Sequence, residues 1–298
     1  MDVAGMTRIL ITGASGFTGL AACSYFASLG MEVAAVVRSA SARVTGGTPY
    51  VCDLTKPEDV SRLVHEIRPD WVLHLAGRNS VAESWRDPGS FLQANLMAPV
   101  YLLEALRSCP DTRILVAGSM LGTAAAGQPI PHPYGFSKML LMYAAQAWHL
   151  WFSQQIMVAL PSNLIGPGPS TGICGLLARK IAGLETGAAH EPLRLSSLGE
   201  ERDYVDVRDA VSAYKIILDQ GVPGAVYSIG TEQPRSLGEI VSVFQSLTSA
   251  SLPLEVENKP RPELVRRMDV TALKALGWSA RIPFEQSLSD ALDYYRHV

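Results

Sequence analysis

The first half of the chain alternates short, continuously apolar runs with longer stretches of helical period. Arg8–Thr12, Glu32–Val37, Trp71–Leu75, Arg113–Ala117 and Ile156–Leu160 read as strands, with Pro49–Cys52 a shorter one. Between them Gly16–Leu29, Pro57–Ile67, Phe91–Arg107 and Tyr134–Phe152 have the pattern of helices, the second with its proline just inside the start. Strands buried on both faces lose the polar–apolar alternation of a half-exposed sheet. Their alternation with helices predicts an α/β fold, a Rossmann-type doubly wound parallel sheet covered on both sides.

After Pro161 the texture changes. Gly166, Pro167, Gly168, Pro169, Gly172 and Gly175 crowd residues 161–175, which read as a long loop. Stretches 176–204 and 231–298 mix short helices with prolines, while Val205–Gly230 offers one more helix and strand to the sheet. The expected organisation is a dinucleotide-binding domain of 1–160 and 205–230, and a smaller, discontinuous α/β substrate domain of 161–204 and 231–298.

Composition narrows the function. Hydrophobic residues make up 48% of the 298, which excludes intrinsic disorder. The formal net charge of -3 leaves no basic surplus for a phosphate backbone, so nucleic acid is not an expected partner. Cysteines 23, 52, 109 and 174 form no CxxC, and the six histidines form no HExxH, so no metal is expected. The start, MDVAGMTRILITG, carries no basic leader, and no run approaches the roughly 18 apolar residues of a membrane span. The expectation is a cytoplasmic protein with no membrane partner.

Directly after the first strand comes Thr12-Gly13-Ala14-Ser15-Gly16-Phe17-Thr18-Gly19, a TGxxGxxG turn. Gly13 permits the sharp turn, Gly16 lets backbone approach a pyrophosphate, and Gly19 lets the helix pack close to the sheet. The helix start, with Ser15, Phe17 and Thr18, supplies N–H donors and positive dipole. Cofactor choice is read at the end of the second strand, where a carboxylate would take the ribose 2′-OH of NAD. Val37-Arg38-Ser39 stands there, with Arg43 nearby and no carboxylate between 33 and 52. An arginine suits a 2′-phosphate, which favours NADPH and leaves NADH possible; the alternative is a solvated surface arginine. Asp53 and Leu54 after the third strand, and His74-Leu75-Ala76-Gly77 after the fourth, fall where adenine and ribose would lie. His74 itself reads as a strand-end histidine.

Tyr134-Gly135-Phe136-Ser137-Lys138 puts a phenol and an ammonium on one helical face. Ser119 follows a strand, at the carboxyl edge where such sheets bind ligands. Free tyrosine has a pKa of roughly 10, and lowering it by ~3 units takes ~4 kcal/mol. A nearby lysine and a nicotinamide cation would act in that direction. In a reduction Tyr134 would protonate the developing alkoxide, Ser119 would hydrogen-bond the same oxygen, and Lys138 would hold the nicotinamide ribose.

Together these motifs resemble the extended short-chain dehydrogenase/reductase (NAD-dependent epimerase/dehydratase) family, which acts on nucleotide sugars. The second half adds Asn163-Leu164-Ile165-Gly166-Pro167-Gly168, Arg202-Asp203-Tyr204-Val205-Asp206-Val207 and Leu276-Gly277-Trp278. Segments 178–187 and 198–210 are most similar to the branch of GDP-4-keto-6-deoxymannose reductases and GDP-mannose dehydratases. The resemblance implies that Asn163, Arg179, Lys180, Arg202 and Arg261 hold the nucleotide diphosphate and base, and that Ser80 and Ser84 meet the sugar. It also implies a homodimer through the helices at 91–107 and 134–152, where Leu102, Leu103, Met142, Trp148 and Trp151 exceed what one sheet face needs.

Three departures shape the expected reaction. Met120 and Leu121 follow Ser119 where the family's dehydratases carry an acid, which disfavours elimination. The V-Y-G usual after that serine is shortened to Leu121-Gly122, which alters the expected sugar pocket. Leu160 replaces the arginine that commonly precedes P-x-N. The expected activity is NADPH-dependent reduction of the 4-keto group of a nucleotide-linked 4-keto-6-deoxy sugar, GDP-linked favoured. The alternatives are a 4-epimerase with tightly bound NAD and a catalytically idle NAD(P)-binding regulator.

Overall fold

Ile9, Leu10 and Ile11 are fully buried because their strand runs through the interior of a seven-stranded sheet. The computed structural model describes residues 6–123, 129–188, 191–257 and 268–298. The chain begins β1 (Arg8–Thr12), α1 (Phe17–Ser28), β2 (Glu32–Val37), β3 (Thr48–Val51), α2 (Pro57–Ile67) and β4 (Trp71–His74). It continues with α3 (Val81–Arg86), α4 (Pro88–Leu92), α5 (Ala98–Ala105), β5 (Arg113–Ala117), α6 (Pro133–Phe152) and β6 (Gln155–Pro161). Then come β7 (Asn163–Ile165), α7 (Ile173–Glu185), β8 (Leu193–Leu195), β9 (Glu201–Arg202), β10 (Tyr204–Asp206) and α8 (Val207–Gln220). The last are β11 (Val226–Ile229), β12 (Arg235–Ser236), α9 (Leu237–Ser246), β13 (Leu254–Val256), α10 (Thr271–Ala275) and α11 (Phe284–Arg296).

Two compact units result: Met1–Pro161 with Val211–Tyr227, and Ser162–Ala210 with Ser228–Val298. The main sheet has the order β11-β6-β5-β4-β1-β2-β3. The pairs from β3 to β6 are parallel. Gly224 N–H donates to Ile156 O and Val158 N–H donates to Ala225 O, so the partners advance in step and β11 runs the same way. Chain order reverses between β1 and β4, the place where a doubly wound sheet opens a crevice at its carboxyl edge.

On one side of this sheet, Leu10, Val36, Val72, Ile114 and Val158 pack with Val60, Leu63, Val64 and Ile67 of α2. Those α2 positions fall at i, i+3, i+4 and i+7, one apolar stripe. Leu102 and Leu103 join this core at 1% exposure, so they are not the surface residues expected from the sequence. The helix expected over 91–107 is also interrupted. A π-helical turn, Gln93–Met97, sends the Ala98 N–H back to Gln93 O. Pro99 follows directly in the first turn of α5 and gives the helix no N–H there.

Among the described residues the second unit holds three two-stranded ladders, β7–β10, β8–β13 and β9–β12. Leu177 and Ile181 of α7, Ile240 and Phe244 of α9, and Leu288 and Leu292 of α11 share its core. The loop expected over 161–175 contains β7, whose three residues are bracketed by Pro161 and Gly166. Trp278 is buried and donates Nε1–H to Asp209 O at 3.1 Å.

Candidate active site

Since β1 to β5 run parallel, their carboxyl ends share one edge, and the first unit gathers its chemistry there. At the end of β1, Gly13 adopts φ +68°, and a Cβ on it would lie 2.8 Å from Ala76 N. At Gly19 a Cβ would lie 2.1 Å from Gly13 O, so α1 can approach the turn only with glycine at that position. α1 has no capping side chain and no acid in its first turn. Phe17 and Thr18 therefore present backbone N–H donors that no protein group at the helix start neutralises, beside exposed Ser15 and Gly16. This is a fit for a diphosphate.

Thr12 Oγ1 accepts from the Leu75 and Ala76 amides, both at 3.1 Å, and so gives its one proton to His74 Nδ1, 2.9 Å away. His74 is thereby the neutral Nε2–H tautomer. Burial, then the Lys138 charge, hold its pKa down to about 3. Its Nε2 has no partner among the described residues. Histidine and threonine together fix the Leu75-Ala76-Gly77 turn against the glycine turn.

At the end of β2 the Arg38 side chain is exposed. Asp53, after β3, accepts from the Thr55 hydroxyl at 2.7 Å and amide at 3.0 Å. Those bonds, then Lys56 and Arg38, hold its carboxyl below the usual range. Half-buried Leu54 lines the same loop.

α6 carries Tyr134 and Lys138. Tyr134 is 7% exposed, and its phenol shares a hydrogen bond with Ser119. Burial raises the phenol pKa and the Ser119 bond pulls it partly back. The depression expected from Lys138 is not supplied by the protein alone, because that ammonium is turned onto Ala117 O at 2.9 Å. Burial brings Lys138 itself down to about 8.

Sequence reasoning missed Asn95. It is fully buried on the π-helical turn, donating to Ser137 Oγ and Arg78 O at 2.9 Å and accepting from Arg78 N at 2.8 Å. A Cβ at Gly77 would meet Asn95 Oδ1 at 2.7 Å, so glycine there makes room for the amide. The available signal was an amide inside an apolar helical run.

Residues 9–230 match the NAD dependent epimerase/dehydratase family. The chain belongs to that family. Among its members, GDP-6-deoxy-D-mannose reductase of Pseudomonas aeruginosa is 31% identical, with 94% of each chain covered. A dTDP-glucose 4,6-dehydratase of Xanthomonas campestris is 29% identical over 79% of this chain and 75% of its own. The solved structure of RMD from Pseudomonas aeruginosa complexed with NADPH superimposes with TM-score 0.82 at 28% identity, covering 98% and 99% of the two chains. The resemblance and the Rossmann-type fold read from the sequence are thus borne out.

In the family's terms the remaining expected residues lie as follows. Ser80 caps α3, accepting from Glu83 N at 3.2 Å, and fully buried Ser84 turns its hydroxyl onto Val81 O at 2.7 Å. In the second unit, Asn163 on β7 donates to Asp203 O at 2.9 Å. Arg202 on β9 is ion-paired with Glu200. Neighbours on α7 diverge: Arg179 is exposed and acts on Tyr295, while Lys180 donates to Glu191 O. Arg261 lies outside the described residues. Leu160, where an arginine is common, is buried in the first unit's core.

Proposed function

We propose that this protein reduces the 4-keto group of a nucleotide-linked 4-keto-6-deoxy sugar with NADPH, GDP-linked sugars being favoured. The observation that carries the reading is a buried phenol bonded to Ser119, with Met120 and Leu121 in place of an acid. A dehydratase needs a second proton-transfer group beside that serine. A reductase needs a neutral phenol ready to give its proton. The 31% identity to a GDP-6-deoxy-D-mannose reductase, and the likeness to a structure holding NADPH, support the same choice.

When bound, NADPH supplies a hydride to the carbonyl carbon. The Phe17 and Thr18 amides would hold its diphosphate, Arg38 its 2′-phosphate, Asp53 and Leu54 its adenosine end, and Leu75–Gly77 its ribose region. Tyr134 gives its proton to the carbonyl oxygen as negative charge develops there, and Ser119 donates a hydrogen bond to the same oxygen. The Lys138 ammonium would orient the nicotinamide ribose and favour the tyrosinate left behind. Asn163, Arg179, Lys180, Arg202 and Arg261, with Ser80 and Ser84, are the proposed contacts to the nucleotide sugar.

We place the enzyme in the cytoplasm as a homodimer; no described helix is long and apolar enough to cross a membrane. Phe136, Tyr143 and Leu150 recur every seven residues along α6 at 43%, 57% and 77% exposure, an apolar stripe suited to a second copy. Leu150→Glu is expected to give monomers in sedimentation. A panel of GDP-, dTDP-, UDP- and CDP-linked 4-keto sugars tests the chemistry. Stoichiometric oxidation of NADPH, fastest with the GDP-linked sugar, is expected. Interconversion of 4-epimers with retained NAD, or no turnover at all, defeats the reading.

A further inference from the structure

α6 opens on an unusual cap. Helix N-caps are mostly short oxygen acceptors from Ser, Thr, Asp or Asn. Here His132, in extended backbone at φ -154° and ψ 155°, turns Nδ1 onto the Gly135 N–H at 2.8 Å. An imidazole nitrogen accepts only when it carries no proton, and a cation there would oppose the positive end of the helix. That bond fixes the tautomer of the ring.

That ring lies against the proposed proton donor. The planes of His132 and Tyr134 are 16° apart, with centroids separated by 5.9 Å. Phe91 meets the same phenol edge-on, at 6.3 Å and 81°. A Cβ at Gly135 would sit 2.4 Å from Leu121 O, 2.8 Å from Ile130 Cγ2 and 2.9 Å from His132 Cε1, so the imidazole is one of the groups the glycine makes room for. Rotation of a phenol about its last bond is otherwise loosely restrained. Asparagine or serine would cap α6 equally well and leave that face of the phenol to water.

We propose that His132 is a positioning residue for Tyr134, a capping ring that holds the phenol plane so that its hydroxyl stays on Ser119. The inference rests on Tyr134 being the proton donor.

Three variants separate cap from ring. His132→Asn keeps an acceptor and loses the ring, His132→Phe keeps a ring and loses the acceptor, and His132→Ala loses both. For His132→Asn we expect a Tm close to wild type, kcat lower by about tenfold, and KM for both substrates within about twofold. Its Tyr134 titration, followed by NMR of 13Cζ-tyrosine and assigned with Tyr134→Phe, should move down towards ordinary tyrosine as water reaches the ring. His132→Phe should keep the wild-type titration at a reduced Tm. A His132→Asn protein with wild-type kcat and titration, or kcat that tracks Tm across all three variants, overturns the proposal. The NMR measurement needs no turnover. A moved titration in a protein that reduces no keto sugar would therefore defeat the reductase reading and leave the positioning role standing.

Discussion

Lys138 Nζ donates to the backbone carbonyl of Ala117 at 2.9 Å, tying α6 to the end of β5 with a buried ammonium. Burial lowers its pKa from 10.5 to about 8. The unfolded chain therefore holds a proton that the folded chain releases in that window. The cost of burying the charge is full below about pH 8 and is relieved as pH rises towards the unfolded value of 10.5. The shift corresponds to about 3 kcal/mol, against which the Ala117 bond returns about 1 kcal/mol. Lys138→Met should be more stable than wild type by about 1–3 kcal/mol in urea near neutral pH, with the difference shrinking at about pH 10. Its kcat should fall at least ~100-fold. A methionine variant less stable than wild type at neutral pH would contradict this account.

Tyr134 and Lys138 set the pH limits of proton delivery. Burial raises the Tyr134 pKa, so the phenol remains a donor throughout the neutral range. Reductive kcat/KM, which reports the free enzyme, should be level from about pH 6 to 7.5 and fall above about pH 8 as Lys138 loses its proton. Tyr134→Phe should lower kcat at least ~10³-fold and leave the NADPH Kd within about twofold. A reductive rate that climbs steadily from neutral to alkaline pH would exclude the phenol as donor.

Gly19→Ala tests the glycine turn. Its Cβ would fall 2.1 Å from Gly13 O and 2.7 Å from Ala14 Cα, so backbone must move. The expected loss is about 2–3 kcal/mol of stability and at least ~10-fold in NADPH affinity by fluorescence titration. Gly30 is the control. Its φ is +76° with nothing near the added Cβ, so Gly30→Ala should cost about 1–2 kcal/mol and leave NADPH affinity unchanged.

What the sequence discloses follows the range of the interactions. β1, β2, β4, β5 and β6 are legible within a residue or so because strands buried on both faces must be continuously apolar. TGxxGxxG and YxxxK are legible because each acts within one turn of chain. The pairings that hold them in place are distant. Thr12 meets His74 across 62 residues, and Asn95 meets Ser137 across 42. No local pattern marks either pair. The π-helical turn that aims Asn95 inwards replaces a helix that periodicity alone would continue. The burial of Leu102 and Leu103 follows from α2 packing against α5, a contact invisible in the helix read by itself. His132 looks like part of a proline-rich lead-in until its ring is seen against the phenol.

Arg38 separates the two nicotinamide cofactors. It stands at the end of β2 with no carboxylate beside it in sequence, and its charge reaches Asp53 across the ends of β2 and β3. A guanidinium can take a phosphate in two parallel hydrogen bonds, whereas a ribose hydroxyl offers it little. Arg38→Ala should therefore raise KM for NADPH by about 10–100-fold, a loss of about 1.4–2.8 kcal/mol, and change KM for NADH by less than about threefold. Arg38→Asp supplies the acceptor that a 2′-OH prefers, but sets it near the Asp53 carboxylate. It should lose NADPH more completely than Arg38→Ala and gain little with NADH until Asp53→Asn removes the neighbouring charge. Initial rates with both cofactors at a fixed concentration of keto sugar measure all of this. Equal losses with NADPH and NADH in Arg38→Ala would mean that the arginine supports the adenosine end of either cofactor and does not read the phosphate.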